Sequence, residues 1–526
     1  MAFDIATAQR PTGASATALD LYETVLAGHQ CFAGEPVRGL RAALADSPAF
    51  VMAQVFLGYL HAAGTDAFTL PVALDCHAKA LALSASDREA GHVTALGHMA
   101  RGEIAAAARV LAEVSAQYPR DALALQIGQL LDFLRGDARR LRDRIGAALP
   151  HWDETMPGFH AVLGLHAFGL EETGHYAGAE ATGRRAVALE PRNGWARHAV
   201  AHVMEMQNRR EDGVAWMRGD LQSWTGDSYF QVHNWWHLAL FHLGLGDTDT
   251  VLALYDDPIR GDRSALAYDM VDASALLWRL HLKGVDVGDR WVELAARWEP
   301  AVAESLYAFN DAHAAMAFVG AGRGDALGAL RAAQQRAIAR PGDNAAFQQV
   351  GEPVVRGLAA FGEGDWRGAI AALQPVRAVA HRFGGSHAQR DVIDLTLVEA
   401  ARRVGDHGLV AALEADRAIV RLRVIDWPVI VAFAGLTIEG GLGDPARDPA
   451  DQRRQPGRLP GPDGRHVPHP PRGVRRSQGL GGTAALRRAR DRPLGPGGRR
   501  LSAGGRGRPG AGRRPVQQRG RSDPGR

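Results

Sequence analysis

Residues 191–247 read PRNGWARHAVAHVMEMQNRREDGVAWMRGDLQSWTGDSYFQVHNWWHLALFHLGLGD. Helix-forming runs rich in Ala and Leu alternate in this stretch with short turns, one at Asn208 and one at Gly246. Gly and Asn tolerate the left-handed conformation in which many helices end, so each turn predicts that one helix stops and another starts. The stretch therefore predicts consecutive helical hairpins.

Turns of the same kind recur along most of the chain. The steps between them are 34 to 41 residues, apart from two steps of 68 and 78 residues that are about twice as long. They lie at Gly34, Gly102, Gly136, Gly174, Asn208, Gly246, Gly324, Gly364 and Gly405. A 34-residue helix–turn–helix period is typical of tetratricopeptide repeats, and the longer steps of degenerate ones.

The fold class predicted from this pattern is all-α, an α-solenoid of degenerate tetratricopeptide-like helical hairpins. We expect 18 to 22 helices over residues 15–415. The apolar run Val350 to Val355 is interrupted by Gly351 and Pro353, which argues against a strand. A generic alanine-rich helical bundle is the alternative.

Composition restricts the compartment and the partners. The two cysteines, Cys31 and Cys76, provide no disulfide framework and fit a reducing cytoplasm. The N-terminus has no secretory signal pattern. The longest late apolar run, Pro428 to Ile438, is too short to cross a bilayer, so no membrane partner is expected.

The character of the chain changes after residue 442. Residues 443–526 contain 21 Arg and 6 Asp, whereas residues 1–442 contain 40 basic and 52 acidic residues. Such an Arg/Gly/Pro-rich segment predicts a disordered tail. It is either a basic arm, which alone would allow a nucleic-acid partner, or the frame-shifted translation of GC-rich DNA.

The predicted organisation has four parts. Residues 1–14 form a flexible N-terminus and residues 15–415 the helical-repeat domain. Residues 416–442 are a doubtful terminal repeat, and residues 443–526 are the tail.

Five segments together resemble the tetratricopeptide repeat protein 38 family. In order they are WARHAVAHVMEMQNRREDGVAWM, HNWWHLALFHLGLGD, VDASALLWRLHLKGVDVGDRW, FNDAHAAMAF and GGSHAQRDVIDLTLVEAA. The resemblance spans roughly Tyr22 to Asp416 and implies a cytosolic α-solenoid without an established activity. The resemblance implies one more helical pair after Ala418. This chain instead continues with RLRVIDWPVIVAFAG and then the Arg/Gly/Pro-rich segment.

Two histidine pairs carry the main candidate site. His198 and His202 lie on one helical stripe with Glu205, and His233 and His237 form a second pair, because residues at i, i+4 and i+7 share a face. These pairs could be a hydrogen-bonded polar seam, a ligand pocket without metal, or a site for Zn²⁺, Fe²⁺ or Mn²⁺. The metal site is the minority hypothesis, and no cofactor is predicted.

The other candidate ligand-binding residues surround these pairs or lie in two later segments. FNDAH supplies polar groups within one helical turn, and in GGSHAQRD Ser386 and Gln389 are expected to form a capping box at an anion-facing helix start. The remaining candidates are Trp195, Asn234, Trp236, Asn310, Asp311, His313, Gln389, Arg390 and Asp391.

Two functions from different classes follow. The first hypothesis is a non-enzymatic scaffold that binds a peptide or protein in its concave groove. The alternative is an enzyme or small-molecule-binding protein whose His, Asn, Asp and Arg residues converge in one pocket. The two differ in the geometry they require. The alternative is favoured if one cavity is lined by His198, His202, His233, His237, His313 and Arg390, and the scaffold is favoured if these residues lie in separate seams between helices.

Overall fold

The computed structural model describes residues 11–340 and 344–422. Most of the predicted flexible N-terminus, residues 423–442 of the doubtful repeat and the predicted tail at 443–526 lie outside the described residues. The described part consists of helices and turns, and its one β-type contact is an isolated bridge between Ala33 and Ser228. The all-α prediction is confirmed.

The first twelve helices are α1 Ala16–Gln30, α2 Pro36–Asp46, α3 Val51–Ala62, α4 Leu70–Leu81, α5 Asp87–Ala100, α6 Ile104–Gln117, α7 Ala122–Leu134, α8 Ala138–Ala148, α9 Phe159–Glu172, α10 Tyr176–Leu189, α11 Gly194–Met206 and α12 Arg210–Arg218. The others are α13 Leu221–Thr225, α14 Gln231–Leu245, α15 Thr248–Leu254, α16 Ala267–Leu282, α17 Arg290–Ala301, α18 Ala308–Gly320, α19 Gly324–Ala339, α20 Glu352–Gly362, α21 Trp366–Leu373, α22 His387–Val404 and α23 His407–Leu422. The described residues thus hold 23 α-helices, one more than the upper expectation.

The turns have the backbone geometry that the glycines predict, with one correction. Asn208 and Gly246 have φ of 58° and 82°. Gly324, however, is the first residue of α19, and the left-handed residue of that turn is Gly322. Gly284 (φ 73°) is a further turn that divides the long step in the predicted spacing into two ordinary ones. The hairpins therefore follow one another without a missing unit in this region.

The hairpins form two layers that differ in burial. The first helices of successive hairpins pack against one another, as α9 does with α11 and α16 with α18. These inner helices are buried on nearly all sides; in α3, every residue from Val51 to Tyr59 is buried. The second helices, such as α8, bury one face and expose a charged one. This is the packing of tetratricopeptide-like repeats.

Inner helices also contact segments that are far from them in sequence. His29 Nδ1 lies 2.6 Å from the Tyr229 hydroxyl. Asn310 Nδ2 donates to Thr65 Oγ1 at 2.9 Å, and the backbone N–H of His387 donates to Glu172 Oε1 at 3.0 Å. The repeats therefore curve until their inner surfaces meet, and much of the concave side is filled by the chain itself. No helix within the described ranges has the length and apolarity needed to cross a membrane.

Replacing Gly246 by Ala should destabilise the protein by about 1–2 kcal/mol, because a Cβ disfavours the left-handed conformation although nothing obstructs it at this position. The matched control is Gly328→Ala, at an open and exposed position inside α19 with ordinary helical φ, which should stabilise by about 0.5–1 kcal/mol. Urea unfolding of both variants measures the difference. Equal shifts of the two midpoints would contradict the assignment of Gly246 to a left-handed turn.

Candidate functional site

Two inner helices bring the paired histidines together. Asn193 caps α11 by accepting a hydrogen bond from the Ala196 N–H at 2.9 Å, and Asn234 in α14 donates to the Gly194 carbonyl at 3.2 Å. These bonds fix the start of α11 beside α14. Their facing surfaces then place the two i, i+4 pairs opposite one another.

The four histidines form one buried group, called here the four-histidine centre (His198, His202, His233 and His237). One ring nitrogen from each lies within 4.8 Å of the corresponding nitrogens of the others. The shortest recorded separation joins His198 Nε2 and His233 Nε2, at 3.1 Å. All four side chains are buried. The two pairs therefore meet in one cluster.

Aromatic rings and two carboxyl groups surround the centre. Trp236 stacks on His233 with ring centroids 5.3 Å apart, and Trp195 packs against His198 at 4.9 Å. Asp272 of α16 accepts from His233 Nδ1 at 2.8 Å. Glu171, at the end of α9, has a carboxyl oxygen 3.5 Å from His202 Nδ1. The centre is thus an apolar enclosure with acidic groups behind two of its imidazoles.

Burial determines the protonation of the centre. It lowers the pKa of His198, His202 and His237 well below the usual value, and the neighbouring imidazoles lower it further. Burial, followed by the charge of Glu172, raises the pKa of Glu171 well above its usual range. These three imidazoles are therefore neutral at physiological pH, the form in which histidine binds metals.

Glu205 does not join the histidines of its stripe. It occupies the last turn of α11, beyond His202, and its carboxylate lies 3.5 Å from the Arg421 guanidinium of α23. There it borders an open groove of about 620 Å³ between α11, α14 and α16 on one side and α22 and α23 on the other. Asp391, another predicted residue, lines this groove as well.

The groove, called here the charged groove, is defined by its ionisable side chains. The basic ones are Arg210, Arg279, Lys283, Arg402, Arg417 and Arg421. The acidic ones are Glu205, Asp391, Glu399 and Glu414. Burial raises the pKa of Asp391, but Arg417 and Arg421 outweigh it and hold the pKa below its usual value. Burial lowers the pKa of Arg279 to about 10, which still leaves this guanidinium charged at neutral pH.

The residues of FNDAH have separate structural contacts. Asn310 reaches Thr65 across the inner surface. Asp311 accepts from Ser305 at 2.6 Å and from Gln334 at 3.1 Å. His313 Nδ1 donates to the Phe309 carbonyl at 2.8 Å, and burial lowers its pKa to about 4. The structure does not bring these residues into the four-histidine centre.

The residues of GGSHAQRD form the predicted capping box and then diverge. The Ser386 hydroxyl accepts from the Gln389 N–H, and Gln389 Oε1 accepts from the Ser386 N–H at 3.0 Å, which confirms the box. Arg390 pairs with Glu172 at 3.4 Å and donates to the Gly385 carbonyl. Asp391 instead pairs with Arg417 at 2.7 Å. The predicted anion-binding Arg390 thus already contacts a carboxylate of the chain.

A third group was not anticipated from the sequence. Cys31, His160 and Glu190 have polar atoms within 4.8 Å of one another, and they line a cavity of about 190 Å³, called here the Cys31 cavity. The Asn193 side-chain nitrogen lies 3.1 Å from His160 Nδ1. Burial and then the charge of Glu190 raise the pKa of Cys31 to about 12, so the thiol is protonated at neutral pH.

Comparisons with known proteins place few limits on this chain. No family model matches it. Among solved structures, it is similar to the crystal structure of the P58(IPK) tetratricopeptide-repeat domain, with 13% identity over 70% of this chain and 84% of that chain and a TM-score of 0.18. At that TM-score the likeness carries no argument about function.

Asp311→Asn should change how stability depends on pH. Burial raises the pKa of Asp311 to about 7, against about 4 in the unfolded chain. Between these values Asp311 is ionised only in the unfolded state, so its contribution to the free energy of unfolding falls by on the order of 2–4 kcal/mol as the pH rises from about 4 to about 7. The variant, which cannot ionise there, should lack this loss.

Urea unfolding across that pH range measures the effect. Asp249→Asn, at an exposed carboxyl group in α15, is the control and should keep the wild-type profile. A profile for Asp311→Asn that parallels the wild type would contradict the raised pKa.

Proposed function

We propose that the protein is a helical-repeat binding protein of the tetratricopeptide repeat protein 38 type, which binds an acidic peptide segment of a partner protein in the charged groove. The observation that carries this proposal is the groove itself. It is an open channel between α11, α14 and α16 on one side and α22 and α23 on the other. Its volume of about 620 Å³ is within the usual range for ligand sites.

The charges of the groove favour an acidic partner. Six basic side chains face four acidic ones. Arg417 and Arg421 pair with Asp391, and Arg402 pairs with Glu414, so these charges offset one another. Arg210 and Arg279 instead donate to neutral backbone carbonyls, so their positive charge is available to a ligand. Arginine binds carboxylates through paired N–H donors, and a peptide supplies carboxylates along an extended backbone. An acidic segment is therefore better matched than a neutral or basic one.

A second candidate function is the binding of a small molecule in the Cys31 cavity. It is favoured by the enclosed group of Cys31, His160 and Glu190, which could orient a polar ligand against the apolar wall formed by Tyr22 and Met52. The protonated thiol is a poor nucleophile, which favours binding over catalysis. Ala27→Trp, at an exposed position lining the cavity, should reduce retention of any metabolite released from the denatured wild type. Equal retention would count against this candidate.

Lys283→Glu should weaken the binding of acidic peptides about tenfold, because it reverses an exposed charge of the groove. The measurement is fluorescence anisotropy with acidic, neutral and basic peptides of equal length on the full chain. The control is Arg38→Glu, which makes the same charge change on an exposed side chain of α2. Both variants retain the Arg-rich C-terminal segment, so its contribution cancels between them.

Wild type should prefer the acidic peptides, and only Lys283→Glu should lose that preference. Equal binding of the three peptide classes, or an equal loss in both variants, would contradict binding in the charged groove.

A further inference from the structure

The four-histidine centre has more polar atoms than the protein satisfies. Five of its eight ring nitrogens lack a hydrogen-bond partner: His198 Nδ1 and both nitrogens of His202 and His237. Side chains this deeply buried normally have their polar atoms bonded, since an unsatisfied one costs the free energy of removing it from water. A hydrogen bond between His198 and His233 accounts for one nitrogen of each. The other five nitrogens, on His198, His202 and His237, are buried without a partner from the protein, so these rings can still bind a ligand.

We propose that the four-histidine centre binds one divalent transition-metal ion, with Zn²⁺ as the best-matched case. This assigns a site that is independent of the proposed peptide groove.

The spacing of the nitrogens suits one shared ion. Two nitrogens bound at about 2.0–2.1 Å to a tetrahedral Zn²⁺ lie about 3.3–3.4 Å apart. His198 Nε2 and His233 Nε2 are 3.1 Å apart, and one nitrogen from each of the four rings falls within 4.8 Å of the rest. Each pair is at i, i+4 on its helix, the spacing at which two imidazoles on one helical face can share a metal. An ion shared by these rings would replace the hydrogen bond between His198 and His233, and one nitrogen each of His202 and His237 would complete the four ligands.

The second layer around the histidines is also that of a metal site. A carboxylate accepts hydrogen bonds, so the contact with Asp272 fixes the proton of His233 on Nδ1 and leaves the Nε2 lone pair facing the centre. Glu171 is placed similarly behind His202. Both carboxyl groups are buried beside the histidines. Their placement explains why acidic residues occur inside an otherwise apolar enclosure.

The ligand type limits the class of ion. Imidazole nitrogen binds Zn²⁺, Fe²⁺, Ni²⁺ and copper, whereas Mg²⁺ and Ca²⁺ require oxygen ligands. The ring nitrogens of the centre are enclosed by Trp195, Trp236 and Phe168. An ion here would join α11 to α14, that is, two successive hairpins, so its role would be to fix the packing of these repeats.

The experiment uses the full chain without an affinity tag, purified without chelators from cells grown with added Zn²⁺ or Co²⁺. Elemental analysis should find about one ion per chain. The cobalt protein should show the visible absorption of a tetrahedral nitrogen site without a thiolate charge-transfer band. His202→Gln and His237→Gln should each reduce the bound metal at least about tenfold.

Two controls locate the ion. His242→Gln changes a histidine that lies in α14, like His237, but contacts Asp247 outside the centre. Cys31→Ser removes the thiol of the other candidate metal-binding group, at the Cys31 cavity. Both should keep the metal. Less than about 0.2 ion per chain in wild type, retention of the metal in the two centre variants, or its loss in Cys31→Ser would overturn the proposal. If the centre variants do not fold, the stoichiometry and cobalt spectrum of the wild type decide alone.

Discussion

The structure depends on the burial of inner helices that carry polar groups. Because the repeats curve until their inner surfaces meet, a helix such as α11 has almost no face left for water. Each polar side chain on it must then find a partner within the protein. Asn193 and Asn310 do so through hydrogen bonds, whereas several histidine nitrogens in the four-histidine centre do not. Five such nitrogens lie together on three side chains of one cluster, which makes the centre a candidate for binding a further ligand.

Much of the fold was predictable because its signals are local. A helix followed by a left-handed residue is encoded within a few positions, so turns at Asn208 and Gly246 and the capping box at Ser386 could be read directly. The turn at Gly284 has a weaker local signal, because an apolar residue, Val285, follows it, whereas a polar residue follows Gly246 and the other predicted turn residues. The four-histidine centre was predictable as two helical pairs, since their spacing sets their faces.

The remaining features depend on contacts between distant segments. Glu171 and Asp272 belong to different hairpins, and only the packing of α9 and α16 around the histidines shows that they approach the centre. Likewise, no local pattern relates Cys31, which follows α1, to His160 in α9. Curvature of the repeats also decides where the concave side stays open, and so why Glu205 and Asp391 face the charged groove while His198 does not.

The proposed groove and the four-histidine centre share α11 but differ in access. The groove is open and charged, which suits a reversible partner, whereas the centre is enclosed and suits an ion held as part of the fold.

The most direct test of a metal ion in the four-histidine centre is X-ray diffraction from crystals of the full chain, at the absorption edge of the metal found by elemental analysis. One anomalous difference peak between His198, His202, His233 and His237 is the predicted result. Absence of a peak there, or a single peak at Cys31 and His160, would contradict it.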